Sequence, residues 1–88
     1  MSRDVRFSAR AFDDFQYWHK HDKKTLEKIY QLIADTQRQG YMGLGKPEPL
    51  RGNLAGYWSK RIDDTNRLVF RLADDVVEIV QCRGHYND

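Results

Sequence analysis

The stretch GYMGLGKPEPL, residues 40–50, holds the first residue types and spacing that suggest chemistry. Gly40, Gly45 and Lys46 match the G-x-x-x-x-G-K spacing of a phosphate-cradling loop. The match is accidental. Such a loop follows a strand, opens a helix and continues with Ser or Thr after its lysine; here a helical pattern precedes and Pro47 follows. Lys46 and Glu48 each precede a proline, which steers both toward extended backbone. Pro47 and Pro49 fix φ on either side of Glu48 and hold its carboxylate in a low-entropy segment from which it can be aimed. Taken alone, the stretch is a rigid connector with an exposed glutamate before it is a site.

The remaining chemistry-bearing residues are few. Cys82 is the sole cysteine, so no disulfide forms within the chain, and its apolar surroundings read as a buried thiol rather than a nucleophile. His19 and His21 read as helix-end residues, and no cluster has zinc spacing, so neither metal nor cofactor is expected. Arg67 can begin a strand and pair with Asp63 or Asp64, while His85 and Tyr86 can be a frayed tail. Trp18 and Trp58 read as core anchors.

The elements that must position these residues follow from periodicity. Val5 and Phe7 alternate with polar neighbours as a short strand. Ser8 caps a helix running to about His21, with Phe12, Phe15 and Trp18 or His19 at helical spacing and Asp13 and Asp14 in its early turns. Asp22 caps a second helix, with Leu26, Ile29, Tyr30 and Ile33 on one apolar face and Gly40 as its stop. Three strands follow an irregular stretch: residues 57–62, 67–72 and 76–83, joined by the turn sequences DDTN and ADD. Links that short require an antiparallel meander, and a lone meander cannot bury its apolar side, so the helices cover one face. Arg67 and Arg71 share the other face by the strand period of two. The expected fold is α+β, in the order β-α-α-β-β-β. Leu26, Ile29, Ile33, Leu68, Phe70, Val77 and Ile79 form its core.

The 88 residues leave room for one domain, spanning 1–88. A 40% hydrophobic and 32% charged composition is globular rather than disordered. The net charge of +2 is too small by itself to argue for nucleic acid. Its distribution says more: residues 46–71 carry six Lys or Arg (Lys46, Arg51, Lys60, Arg61, Arg67, Arg71) against three acids. That excess suits either a solvated strand face or a surface that meets phosphates. The first residues, MSRDVRFSAR, lack an apolar signal core, and no stretch spans a membrane, so the expected location is the cytoplasm.

Read in succession, GKPEPL (45–50), NLAGYWSKRI (53–62), NRLVF (66–70) and CRGHY (82–86), with DDFQYW (13–18) on the first helix, closely resemble the YoeB/Txe family of bacterial toxins within the RelE-like superfamily. The resemblance covers nearly all of the chain. It implies two helices on a twisted, mostly antiparallel sheet of the RelE-like, microbial-RNase-like kind. It also implies a ribosome-dependent endoribonuclease that cuts mRNA in the ribosomal A site without a metal, leaving a 2′,3′-cyclic phosphate and a 5′-OH. The implied partners are the ribosome with its mRNA and a neutralising antitoxin of the YefM/Axe kind, with room for a homodimer. By this resemblance the general base falls on Glu48, the phosphate-binding arginine on Arg67, the general acid on His85 and the C-terminal active-site tyrosine on Tyr86. Lys46, Arg51 and Arg61 fall among the basic, substrate-binding positions.

These residue types suit that reaction. Attack by a 2′-OH needs a base for its proton, an acid for the leaving 5′-oxygen and positive charge beside the phosphorane. A carboxylate, an imidazole that titrates near neutrality and a planar guanidinium fork supply them. A tyrosine beside them can stack on a base or bond a phosphate. The chain departs from the family pattern where Asn66 replaces a common histidine, where Gly84 replaces a frequent tyrosine, and where Asn87 and Asp88 extend past Tyr86. Gly84 loosens the segment that holds His85, and the extension bears on Tyr86. Two other readings stand beside the main one: a catalytically silent, antitoxin-binding regulator, and an RNase that acts without ribosomes. The modest charge disfavours the latter, because independent RNA capture leans on many phosphate contacts.

Overall fold

The structure, a computed structural model, describes residues 2–86; Met1, Asn87 and Asp88 lie outside them, and with them the expected influence of the extension on Tyr86. The chain runs β1 (Asp4–Phe7), α1 (Ala9–His21), α2 (Lys23–Gln39), β2 (Glu48–Pro49), a 3-10 turn (Gly52–Leu54), β3 (Trp58–Arg61), β4 (Arg67–Ala73) and β5 (Val76–Gln81). The strands form one sheet in the order β1-β5-β4-β3-β2. β1 lies parallel to β5, and every other pairing is antiparallel. The expected order holds, with β2 as an additional short edge strand where the sequence reads only as extended.

Both helix starts are built as their caps predict. Ser8 Oγ accepts from the Ala11 amide at 3.0 Å, and Asp22 Oδ1 from the Thr25 amide at 3.1 Å. Thr25's amide and hydroxyl hold the Asp22 carboxyl below its ordinary range. Gly40 ends α2 at φ 63°, a conformation that glycine adopts without strain. The buried faces are turned slightly from the expected stripes. α1 buries Ala11, Asp14 and Trp18, and α2 buries Leu26, Ile29, Leu32 and Ile33. Phe12 and Tyr30 stand about half exposed instead. Asp14 is not a first-turn dipole partner: it lies within the helix and its Oδ2 accepts from the Cys82 amide at 3.0 Å.

All seven expected core residues are buried, joined by Ala11, Trp18, Leu32, Ile62 and Cys82. Each fully buried large aliphatic contributes about 1.5–3 kcal/mol. Leu68, Phe70 and Leu72 of β4 face the helices, and Arg67, Val69 and Arg71 face the opposite way. Val69 pairs with Gln81 and Phe70 with Ile79, so the register steps past Val80. A bulge there bends the end of β5, and with it the path of the residues that follow. The turn between β4 and β5 is the two-residue Asp74–Asp75 link, with Asp74 at φ 56°. Among the described residues no helix is long and apolar enough to cross a membrane.

Candidate active site

The sheet face opposite the helices is assembled by cross-strand register. Glu48 of β2 lies opposite Ser59 of β3, which lies opposite Val69 of β4. Two residues along, Arg61 lies opposite Arg67. Directly opposed residues share a face, and a two-residue step is one pleat, about 7 Å. Glu48, Ser59, Arg61 and Arg67 therefore occupy adjacent positions on a single face.

The C-terminal segment joins them there. The hydroxyls of Ser59 and Tyr86 are 3.2 Å apart. The Arg67 amide donates to the Gly84 carbonyl at 3.0 Å. The side chain of Gln81 donates to the His85 carbonyl at 3.4 Å. The rings of His85 and Tyr86 stack at 4.8 Å and 29°. His85 Nδ1 is 3.3 Å from the Tyr86 carbonyl. These contacts hold His85 and Tyr86 in a corner, against the alternative of a frayed tail.

Not every candidate converges. Glu48 and His85 are both exposed, and among the described residues no hydrogen bond links either side chain to the other or to Arg67. Their link runs through Ser59 and Tyr86. A shallow cleft of about 410 Å³ is lined by Glu48, Pro49, Leu50 and Arg51, which brings Arg51 beside the carboxylate. Arg61 is tied to Asp64 by a 2.6 Å ion pair. Arg67 Nη1 donates to the carbonyls of Asp63 (2.6 Å) and Asn66 (3.1 Å), so it binds backbone there rather than an acid. Lys46 is exposed at φ 49°. The extended backbone expected from the following proline is not adopted there. Gly45 explains why: its carbonyl accepts from the Arg61 amide at 2.6 Å, which forces the chain to turn before Pro47.

Two residues that hold the site have roles that the sequence pattern does not assign. Ser59 is one; its spacing of two from Arg61 on a strand is the signal that locates it. Lys60 is the other, and it corrects the basic-surface count. It is fully buried on the helix side. Its Nζ donates to Thr36 Oγ1 (2.8 Å) and to the carbonyls of Gly40 (3.3 Å) and Met42 (2.8 Å), with Asp35 Oδ2 at 3.8 Å. Desolvation lowers the Lys60 pKa, against the pull of Asp35. Asp35 Oδ2 in turn accepts from the Leu44 amide at 2.8 Å. This network packs the loop that leads to Glu48 onto α2. Arg71 is also withdrawn from the free basic face: Glu78 pairs with it at 2.6 Å and with Arg6 beside it.

Two helices on a five-stranded mixed sheet in this order are the fold of YoeB- and RelE-like toxins. The sequence model described as the YoeB-like toxin of bacterial type II toxin-antitoxin system matches residues 7–86, and the chain belongs to that family. Toxin YoeB of Mycobacterium bovis is 50% identical over 84 residues, covering 96% of this chain and 99% of that protein. The YoeB dimer from Staphylococcus aureus superposes with a TM-score of 0.90 at 40% identity, covering 98% of this chain and 100% of that one. The YoeB-YefM complex from the same organism gives a TM-score of 0.88 at 39% identity, with the same coverage.

Proposed function

We propose that this toxin is a ribosome-dependent mRNA endoribonuclease that acts in the cytoplasm as one domain, cutting the codon in the ribosomal A site. One observation carries the reading: Ser59 lies opposite Glu48 in the sheet and its hydroxyl is 3.2 Å from that of Tyr86, so the KPEP edge and the C-terminal corner meet on one face. Glu48 takes the proton of the ribose 2′-OH. The 2′-oxygen bonds to phosphorus, the bond to the 5′-oxygen breaks, and His85 protonates that oxygen. The products are a 2′,3′-cyclic phosphate and a 5′-OH, and no metal takes part. A carbonyl only accepts, so His85 Nδ1–H donates to the Tyr86 carbonyl, and in the imidazolium form the Nε2–H is the proton given to the leaving oxygen. Arg67 neutralises the phosphorane, while Tyr86, Lys46, Arg51 and Arg61 bind the RNA.

The partner that silences this face is an acidic YefM-like antitoxin, disordered alone, that folds on binding; a second copy of the chain is a further partner. The test is to map cuts in a translating extract and identify the fragment ends. Cuts within the A-site codon ending in a cyclic phosphate are expected, together with growth arrest that a co-expressed neighbouring antitoxin gene relieves. Cleavage of naked RNA at the same rate would replace this reading with a ribosome-independent RNase. Binding of antitoxin without any cleavage would replace it with a silent regulator.

A further inference from the structure

The corner that carries His85 is held at the residue before it. Gly84 donates its amide to Asn66 Oδ1 at 2.7 Å, and its carbonyl accepts from the Arg67 amide at 3.0 Å. Asn66 is itself fixed from the other side. Its Nδ2 donates to both carboxylate oxygens of Asp63 at 3.1 Å, and Asp63 Oδ1 accepts from the amides of Thr65 (2.9 Å) and Asn66 (2.7 Å). The amide end therefore faces an acceptor and the carbonyl end faces a donor, which leaves one orientation for this side chain. Gly84 sits at φ 84°, in the region that favours glycine, and a Cβ added there meets nothing within 4 Å.

We propose that Asn66 and Gly84 form a latch that sets the position of His85, with Asn66 as a positioning residue for the cleavage reaction. The turn Asp63–Asn66 holds Asn66, Asn66 holds Gly84 in its left-handed conformation, and Gly84 directs the next residue, His85. The Arg67 amide completes the clamp on Gly84 from the strand side. Two of the positions at which the chain departs from the family's pattern, Asn66 and Gly84, are thus bonded to each other, and the small residue at 84 is held rather than loose.

This inference rests on the reading of His85 as the general acid, and the experiment separates the two. Single-turnover cleavage of A-site mRNA on programmed ribosomes is measured for Asn66→Ala, Gly84→Ala, His85→Gln and the two double variants, with melting temperatures to establish folding. Each latch variant is expected to lower the rate constant at saturating ribosomes on the order of ten- to hundredfold, as misplacement of a reacting group does. The ribosome concentration for half-saturation should not move, and neither latch change should add to the loss caused by His85→Gln. Asn66→Ala also opens the Asp63 turn; should it fail to fold, Gly84→Ala decides, since its Cβ meets no neighbouring group and strains only the left-handed backbone at 84. Losses of equal size with and without His85 would overturn the latch and leave the acid assignment standing, and unchanged rates in both latch variants would overturn it too. Full activity in His85→Gln would remove the acid assignment and the latch together.

Discussion

Lys60 and Arg61 are neighbouring cations on β3 with opposite surroundings. Lys60 points into the helix-covered side, fully buried, and binds the hydroxyl and carbonyls that close the loop after α2. Arg61 points to the open side, beside Arg67 and tied to Asp64. The difference extends over the whole sheet. The covered face is apolar, with Leu68, Phe70, Val77 and Ile79 against the two helices. The open face gathers Glu48, Ser59, Arg61, Arg67 and Tyr86. Strand alternation divides the sheet: one face packs against the helices, and the other carries the side chains proposed to meet the RNA. The two kinds of substitution should therefore separate cleanly in experiment.

The largest effect is expected on the open face. Glu48→Gln keeps the size and the loop but removes the carboxylate proposed as the base, and a positioned base or acid typically contributes 10²–10⁴-fold. Single-turnover cleavage on programmed ribosomes should fall by roughly that factor for Glu48→Gln and for His85→Gln, while the melting temperature and antitoxin binding hold. Full activity in Glu48→Gln with the protein folded would reduce the KPEP edge to a stiff connector. The matching change on the covered face is Ile29→Ala, which leaves a cavity costing about 2–5 kcal/mol. Denaturant unfolding should show that loss, and the rate per folded molecule should stay at the wild-type value. A slowed chemical step there would break the separation of the two faces.

Lys60→Met tests the exception, a charge on the apolar side. It leaves the carbonyls of Gly40 and Met42 without their donor, which costs about 1–3 kcal/mol for a buried unsatisfied group. Stability should drop by that amount, and cleavage should fall less than in Glu48→Gln, through a looser Glu48 loop. Unchanged stability with weakened ribosome binding would move Lys60 to the open face and restore it to the basic surface.

Much of this was legible in the sequence, and the gaps have physical causes. Ser8, Asp22 and Gly40 punctuate the helices because capping chemistry is local. Leu68, Phe70, Val77 and Ile79 were readable as core because a strand's period is two. Tyr30 and Phe12 were misplaced because an aromatic at helical spacing sits equally well at the edge of a buried stripe. Lys60 was misread because lysine is counted as surface by default; only the tertiary arrangement brings a hydroxyl and two carbonyls to its ammonium. Lys46 was misread because the demand of its proline is overridden by the Gly45–Arg61 hydrogen bond. The nearness of the KPEP edge to residues 84–86 comes from strand register and the step at Val80, and pairwise register between distant segments is not written in any local pattern.

The smallest effect at neutral pH concerns Cys82, where the covered face hands the chain to the open corner. Its thiol is buried beneath α1, and its Sγ is 3.7 Å from the Ala11 carbonyl. Burial, with the Asp14 charge adding and Arg10 opposing, pushes its pKa from 9.0 up to about 12. The folded state therefore keeps a proton that the unfolded chain releases. Cys82 contributes stability that is fully present below pH 9.0 and is lost as pH rises toward about 12. Lys60 works in the opposite direction: its pKa is lowered on folding, so the unfolded chain holds the extra proton and stability rises as pH climbs toward 10.5. The two contributions partly cancel in a simple alkaline melt. Comparing wild type with Cys82→Ala at each pH removes the Lys60 contribution, which both share. The stability difference between them should be flat from pH 7 to 9 and then shrink steadily toward pH 11 in urea unfolding. A difference that stays constant to pH 11 would mean that the Cys82 thiol ionises as freely in the folded protein as in the unfolded chain. That result would extend the open face beneath the corner that carries His85.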